Sequence, residues 1–216
     1  MNTMTITSRA PHAIRRGLLT VPAVTGIAYS LSWMAGLSVN APSPQVSAGG
    51  ATVVAALAGH GAAVTAQFLF TEGLPAAGLA IVSLALARAG RWSGAARVAG
   101  ITGIVAASIS FVQAILGFAL AGASAPGTAH LLFESVNRLD GVKMLVLAVL
   151  AVAAVATGLL PRWLRYIGFA LAATIVGSGI GWLLLIPSVA ILAYVAGPLL
   201  LVFITGTGIL LGRTGR

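Results

Sequence analysis

The chain has 216 residues, of which 59% are hydrophobic and 7% charged, with twelve Lys and Arg against three Asp and Glu. Soluble domains carry about 25% charged residues, so this composition excludes an ordinary water-soluble fold. Cysteine is absent, which removes disulfides, thiolate nucleophiles and thiolate metal sites. The formal charge of +9 does not point to nucleic acid, because the arginines fall in small groups between apolar runs rather than in one stripe.

Residues 1–17 read as a basic cytoplasmic tail. From Gly17 to Phe70 no Asp, Glu, Lys or Arg occurs, and a helix needs about 20 apolar residues to cross the hydrocarbon layer. Lipid satisfies no backbone N–H or C=O group, so only helices or closed barrels cross it. Long runs of Ala, Leu, Val and Ile without alternation select helices. A first span is expected over 18–37. Arg15 and Arg16 ahead of it, with the small residues Val39-Asn40-Ala41 behind, sketch a signal peptide, but the apolar stretch is long enough to stay as an anchor. Asn40 to Gly50, with Pro42 and Pro44, reads as a loop.

The stretch 51–89 admits two short spans, or one span preceded by a helix outside the membrane. Arginine placement decides. With one span at 63–87 and further spans at 98–122, 142–160, 166–186 and 188–211, ten of the twelve basic residues gather on one side: Arg9, Arg15, Arg16, Arg88, Arg91, Arg97, Arg162, Arg165, Arg213 and Arg216. The positive-inside rule makes that side cytoplasmic. A seven-span alternative sends Arg88–Arg97 outside. The expected architecture is therefore an all-α, polytopic transmembrane bundle of about six spans over 18–212. It is a multi-pass cell-membrane protein with both termini cytoplasmic and a short tail at 213–216. Gly177 with Gly181 and Gly208 with Gly212 present small-residue faces for close helix packing, either within the bundle or in a helix–helix oligomer. Pro75 and Pro198 predict local kinks.

Few residues can carry chemistry. A carboxyl inside a span costs about 2.5–3.5 kcal/mol on insertion scales and marks a functional hypothesis. Glu72 lies about 13 Å into its span, with no basic residue three or four positions away, so it is expected as a neutral, proton-donating acid or as a hydrogen-bonding strut between helices. Glu134 has Asn137 and Arg138 at helical spacing, and Asp140 has Lys143 at three residues. These read first as a solvated network at the mouth of the fourth span, and second as further candidate catalytic carboxyls. Thr102, Ala106, Ser110, Gln113 and Gly117 form the most polar helical stripe, with Gln113 as a neighbour of Glu72. Trp33, Phe68, Phe111 and Trp182 are the aromatics that could face a substrate. His60 and His130 match no metal-ligand spacing, so neither a metal nor a cofactor is expected.

The segments Ala62-Ala63-Val64-Thr65-Ala66-Gln67, Asn137-Arg138-Leu139-Asp140-Gly141-Val142-Lys143-Met144 and Leu160-Pro161-Arg162-Trp163-Leu164-Arg165 together resemble a family of small actinobacterial polytopic membrane proteins. A subset of that family is similar to the bacterial membrane terpene cyclases that close prenylated indoles in drimentine-type pathways, although no catalytic motif carries over residue by residue. The resemblance implies proton-initiated cyclisation of a prenylated aromatic or similar isoprenoid drawn from the bilayer. The alternatives are a small-molecule transporter, which commonly shows repeat symmetry not visible here, and a non-catalytic membrane subunit.

Overall fold

A computed structural model describes residues 20–214; the expected basic tail, its three arginines and Arg216 lie outside the described residues. Every regular element among the described residues is helical: α1 (Val21–Ser38), α2 (Gly50–Leu57), α3 (Gly61–Phe68), α4 (Leu74–Ala89), α5 (Gly94–Ala121), α6 (Pro126–Ala156), α7 (Arg162–Leu183), the single turn α8 (Pro187–Ala190) and α9 (Ala193–Thr214). A π turn at Leu69–Gly73 joins α3 to α4. Five stretches are long and apolar enough to cross a membrane, namely Gly61–Ala89, Gly94–Ala121, Pro126–Ala156, Arg162–Leu183 and Pro187–Arg213. The protein is thus a multi-pass, all-helical membrane protein. Its exposed side chains include Ile101, Phe111, Ile115 and Phe169, apolar groups that lipid accepts without cost.

The region 51–89 resolves as one rod long and apolar enough to cross a membrane, Gly61–Ala89, preceded by the separate α2. Val53 and Leu57 of α2 are buried in a small cluster with Val64, Leu120, Ala129 and Phe133, so α2 is packed onto the ends of α5 and α6. Helices α1, α4, α5, α6, α7 and α9 share one larger core running from Tyr29 and Leu79 through Ala106 and Leu147 to Leu171 and Phe203.

Small residues set the closest approaches. Gly26 of α1 meets Ile204 and Gly208 of α9, and Gly212 meets Thr20 and Ala23. Farther along, Ser30 Oγ shares a hydrogen bond of 2.6 Å with Thr205 Oγ1, which itself donates to Gly26 O at 2.9 Å. Trp33 then reaches Gly197. The two helices therefore run antiparallel along the length of α1. Gly181 packs against Val189 and Ala190, and Gly177 against Leu192. Both glycine pairs singled out in the sequence are thus filled by the chain's own segments.

One expectation needs correction, and another takes a specific form. The span expected at 142–160 belongs to a 31-residue helix, Pro126–Ala156, that starts well before Val142. The charged stretch from Glu134 to Lys143 is therefore helix interior rather than a loop mouth. Hydropathy missed this because it scores each charge singly, whereas Glu134 pairs with Arg138 and Asp140 with Lys143 along the helix, and Lys143 also meets Glu72 from another helix. At Pro75 the irregularity is the π turn just ahead of it, where the N–H of Leu74 reaches back to Leu69 O. Proline lacks the N–H needed to continue the regular ladder, and such widened turns cluster at functional sites. Pro198 lies inside α9.

Candidate functional site

The π turn places Glu72 in the bundle interior, where the carboxylate meets Lys143 of α6. Lys143 Nζ donates to Glu72 Oε1 at 2.8 Å and to Oε2 at 2.7 Å, and it lies 2.7 Å from Asp140 Oδ1. Glu72 and Lys143 are each 8% exposed. Both oxygens of the Glu72 carboxyl lie on one ammonium, so the expectation of an unpaired Glu72 is overturned: its partner comes from another helix, 71 positions along the chain. The expectation of a solvated Asp140–Lys143 pair is corrected for the same reason. The pairing at three residues is present, but it faces inward.

Gln113 completes the polar group from α5. Its Nε2 donates to Val136 O at 3.1 Å and to Asp140 Oδ1 at 3.3 Å. The stripe read in the sequence does face inward at Ala106, Ser110, Gln113 and Gly117. Gln113 bonds Asp140 of the cluster, not Glu72. α6 can deliver its side chains here because Gly141 lies directly on the α7 backbone at Gly179 and Leu183, where a Cβ would find no room.

These groups border a cavity of about 250 Å³, just below the roughly 300–1,000 Å³ of most small-ligand sites. Its wall is largely aromatic and aliphatic: Tyr29, Trp33, Phe68, Phe133 and Trp182, with Leu79, Leu147 and Leu200. Pro42, Ser43 and Pro44 of the α1–α2 connection also line it, and Asn137 Nδ2 donates to Val46 O at 3.4 Å, tying that connection to α6. Two buried polar atoms near this cavity have no hydrogen-bond partner among the described residues: Gln113 Oε1 and Trp182 Nε1.

Of the candidate residues, Glu72, Asp140, Trp33, Phe68, Gln113 and Trp182 all line the cavity. Two do not. Phe111 is 59% exposed and borders a separate shallow groove with Ala80 and Ile104; one position away from the inward stripe turns it to the bundle exterior. Glu134 pairs with Arg138 at 2.6 Å and His130 at 3.5 Å on the exposed side of α6, as its i,i+4 spacing indicates. His60 is exposed and its Nδ1 contacts Ala58 O at 2.9 Å. Among the described residues, no group of three or more His, Cys, Asp or Glu could hold a metal ion. Sequence reasoning did not assign Tyr29, Phe133 or Lys143 to the cavity. Lys143 had a detectable signal, since an ammonium inside a crossing helix needs a buried counter-charge. No protein-family model matches the chain, and no characterised protein or solved structure shows significant similarity to it.

Proposed function

We propose that this chain is an integral membrane cyclase that closes a prenylated aromatic or similar isoprenoid by protonating an alkene or epoxide. The observation that carries this reading is the pair of carboxyls bridged by Lys143 at the wall of an aromatic-lined cavity. Protonation forms a C–H bond at the alkene, or opens a C–O bond of the epoxide, and leaves a carbocation. A neighbouring π bond attacks it to close the ring, and loss of an adjacent proton to the carboxylate restores the acid. Substrate and product are isomers, so the balance requires no oxidant, reductant or co-substrate. Ring faces favour the developing positive charge, each by up to about 2 kcal/mol when desolvated, and the dry wall keeps water from capturing it.

The hydrogen bonding supports a division of roles. Both oxygens of Glu72 are held by Lys143, whereas both hydrogen bonds to Asp140 fall on Oδ1. Asp140 is therefore the proton donor and later the base; Glu72 and Lys143 hold it in place and set the local charge. The substrate enters from the bilayer. We further propose that α1 is a sixth crossing, because it runs antiparallel to α9 along its length, and that both termini are cytoplasmic.

Membranes carrying the wild-type chain should convert a farnesylated indole, or its epoxide, to a cyclic isomer. Asp140→Asn should insert normally and lose at least about a hundredfold in turnover, the scale of a general acid, with Glu72→Gln losing less. Full turnover in Asp140→Asn would remove Asp140 as donor. No conversion across a broad panel of prenyl substrates by the wild type would sink the cyclase reading.

A further inference from the structure

We infer that the cavity also binds protonated amines that carry an apolar tail, with the ammonium taken between Asp140 and Gln113. This goes beyond the cyclase reading and does not depend on it. Two carboxyls share one ammonium in the Glu72–Lys143–Asp140 cluster, so one of them needs a further positive partner: the proton that Asp140 carries in the cyclase reading, or an ammonium that takes the place of that proton. Charge buried in a low-dielectric interior is costly unless it is compensated.

A second observation is independent of charge. Gln113 is 1% exposed and its Oε1 has no partner among the described residues. The amide cannot be reversed, because Nε2 faces two acceptors, Val136 O and Asp140 Oδ1, and an amide oxygen there would meet oxygen. The unmet acceptor therefore belongs to the side chain that already touches Asp140. It calls for a donor, and the excess carboxylate calls for a cation.

A protonated amine supplies both. Its charge balances the cluster, an N–H is available to Gln113 Oε1, and the rings of Tyr29, Trp33, Phe68, Phe133 and Trp182 on the same cavity attract cations by their faces. Calcium or magnesium fits poorly, since each favours six or more oxygen ligands and the wall is mostly apolar.

The experiment uses the full chain in nanodiscs of neutral lipid, with four probes at equal mole fraction: farnesylamine and farnesol, dodecylamine and dodecanol. Each amine should bind at least about tenfold tighter than its alcohol, the scale of a hydrogen bond to a charged group. Asp140→Asn leaves one carboxylate to one ammonium, so it should bring that ratio close to one while alcohol binding is kept. N,N,N-trimethyldodecylammonium, which has no N–H, should bind roughly threefold more weakly than dodecylamine. Equal binding of amine and alcohol by the wild type would mean that no amine takes the place of the proton on the cluster, and would overturn the inference. So would a ratio unchanged in Asp140→Asn, or no binding of any probe. If the dodecyl pair shows the preference and no farnesyl probe binds, the isoprenoid reading falls and the amine site stands. Turnover of a prenyl substrate with no amine preference overturns the amine site alone.

Discussion

Lys143 has the most to lose by removal. It is the one ammonium on the buried Glu72 and the part-buried Asp140, and taking away one partner of a buried pair typically costs about 3–5 kcal/mol because the other charge is left uncompensated. Lys143→Met should therefore destabilise the bundle by roughly that amount, whereas the double variant Glu72→Gln with Lys143→Met should recover a substantial part of the loss. Unfolding in micelles, run as a double-mutant cycle, measures the coupling. Simple additivity of the two single changes would show that the pair contributes nothing to the fold. At this scale the sequence was informative wherever a rule is local. The cost of a carboxyl in lipid singles out Glu72 without knowledge of its neighbours, and the Glu134–Arg138 pair follows from spacing of four. The Glu72–Lys143 bond has no local signature, since helical spacing rules speak only of a residue's own helix. The division of roles between Glu72 and Asp140 changes with that one contact.

Among the elements, the α3–α4 rod determines how Glu72 meets α6. The widened turn at Leu69–Gly73 is followed at once by Pro75, whose missing N–H interrupts the regular ladder. Restoring that N–H with Pro75→Ala removes the reason for the π turn. If the extra residue is absorbed into regular helix, the side chains on one side of the turn rotate by about 100° relative to the other, which moves Glu72 relative to Lys143. We expect Pro75→Ala to insert and fold, yet to lower turnover about ten- to a hundredfold, in keeping with the cost of misplacing a catalytic group by an ångström. Unchanged turnover would show that the π turn does not position the cluster. The sequence indicated an irregularity at Pro75 but not its form, because proline tells where the ladder fails and the surrounding packing decides how the backbone is repaired. Helix ends were also only partly legible. α6 extends to Pro126 because Ala129 and Phe133 pack under Val53 and Leu57 of α2, a contact that no hydropathy window contains.

Across the whole molecule, the order of crossings follows from charge and from the pairing of α1 with α9. Arg88, Arg91 and Arg97 sit around the α4–α5 connection, Arg162 and Arg165 at the start of α7, and Arg213 at the end of α9. Successive crossings alternate direction, so these three groups share one side of the membrane, and short loops rich in arginine stay cytoplasmic. Gly212 near the end of α9 lies against Thr20 and Ala23 at the start of α1, which brings the N-terminal end of α1 to that same side. The proposed orientation then has the connection through Pro42 and α2 outside, together with the α5–α6 connection near Ala125. Reporter fusions after Gly50, Arg91 and Ala125 should accordingly read outside, inside and outside. An inside signal at Gly50 with the other two unchanged would mean that α1 does not cross, reducing the bundle to the five stretches that meet the length and hydropathy criteria. Outside signals at both Gly50 and Arg91 would require a further crossing between Ala51 and Ala89, incompatible with the single rod formed by α3, the π turn and α4, and would take Glu72 away from Lys143.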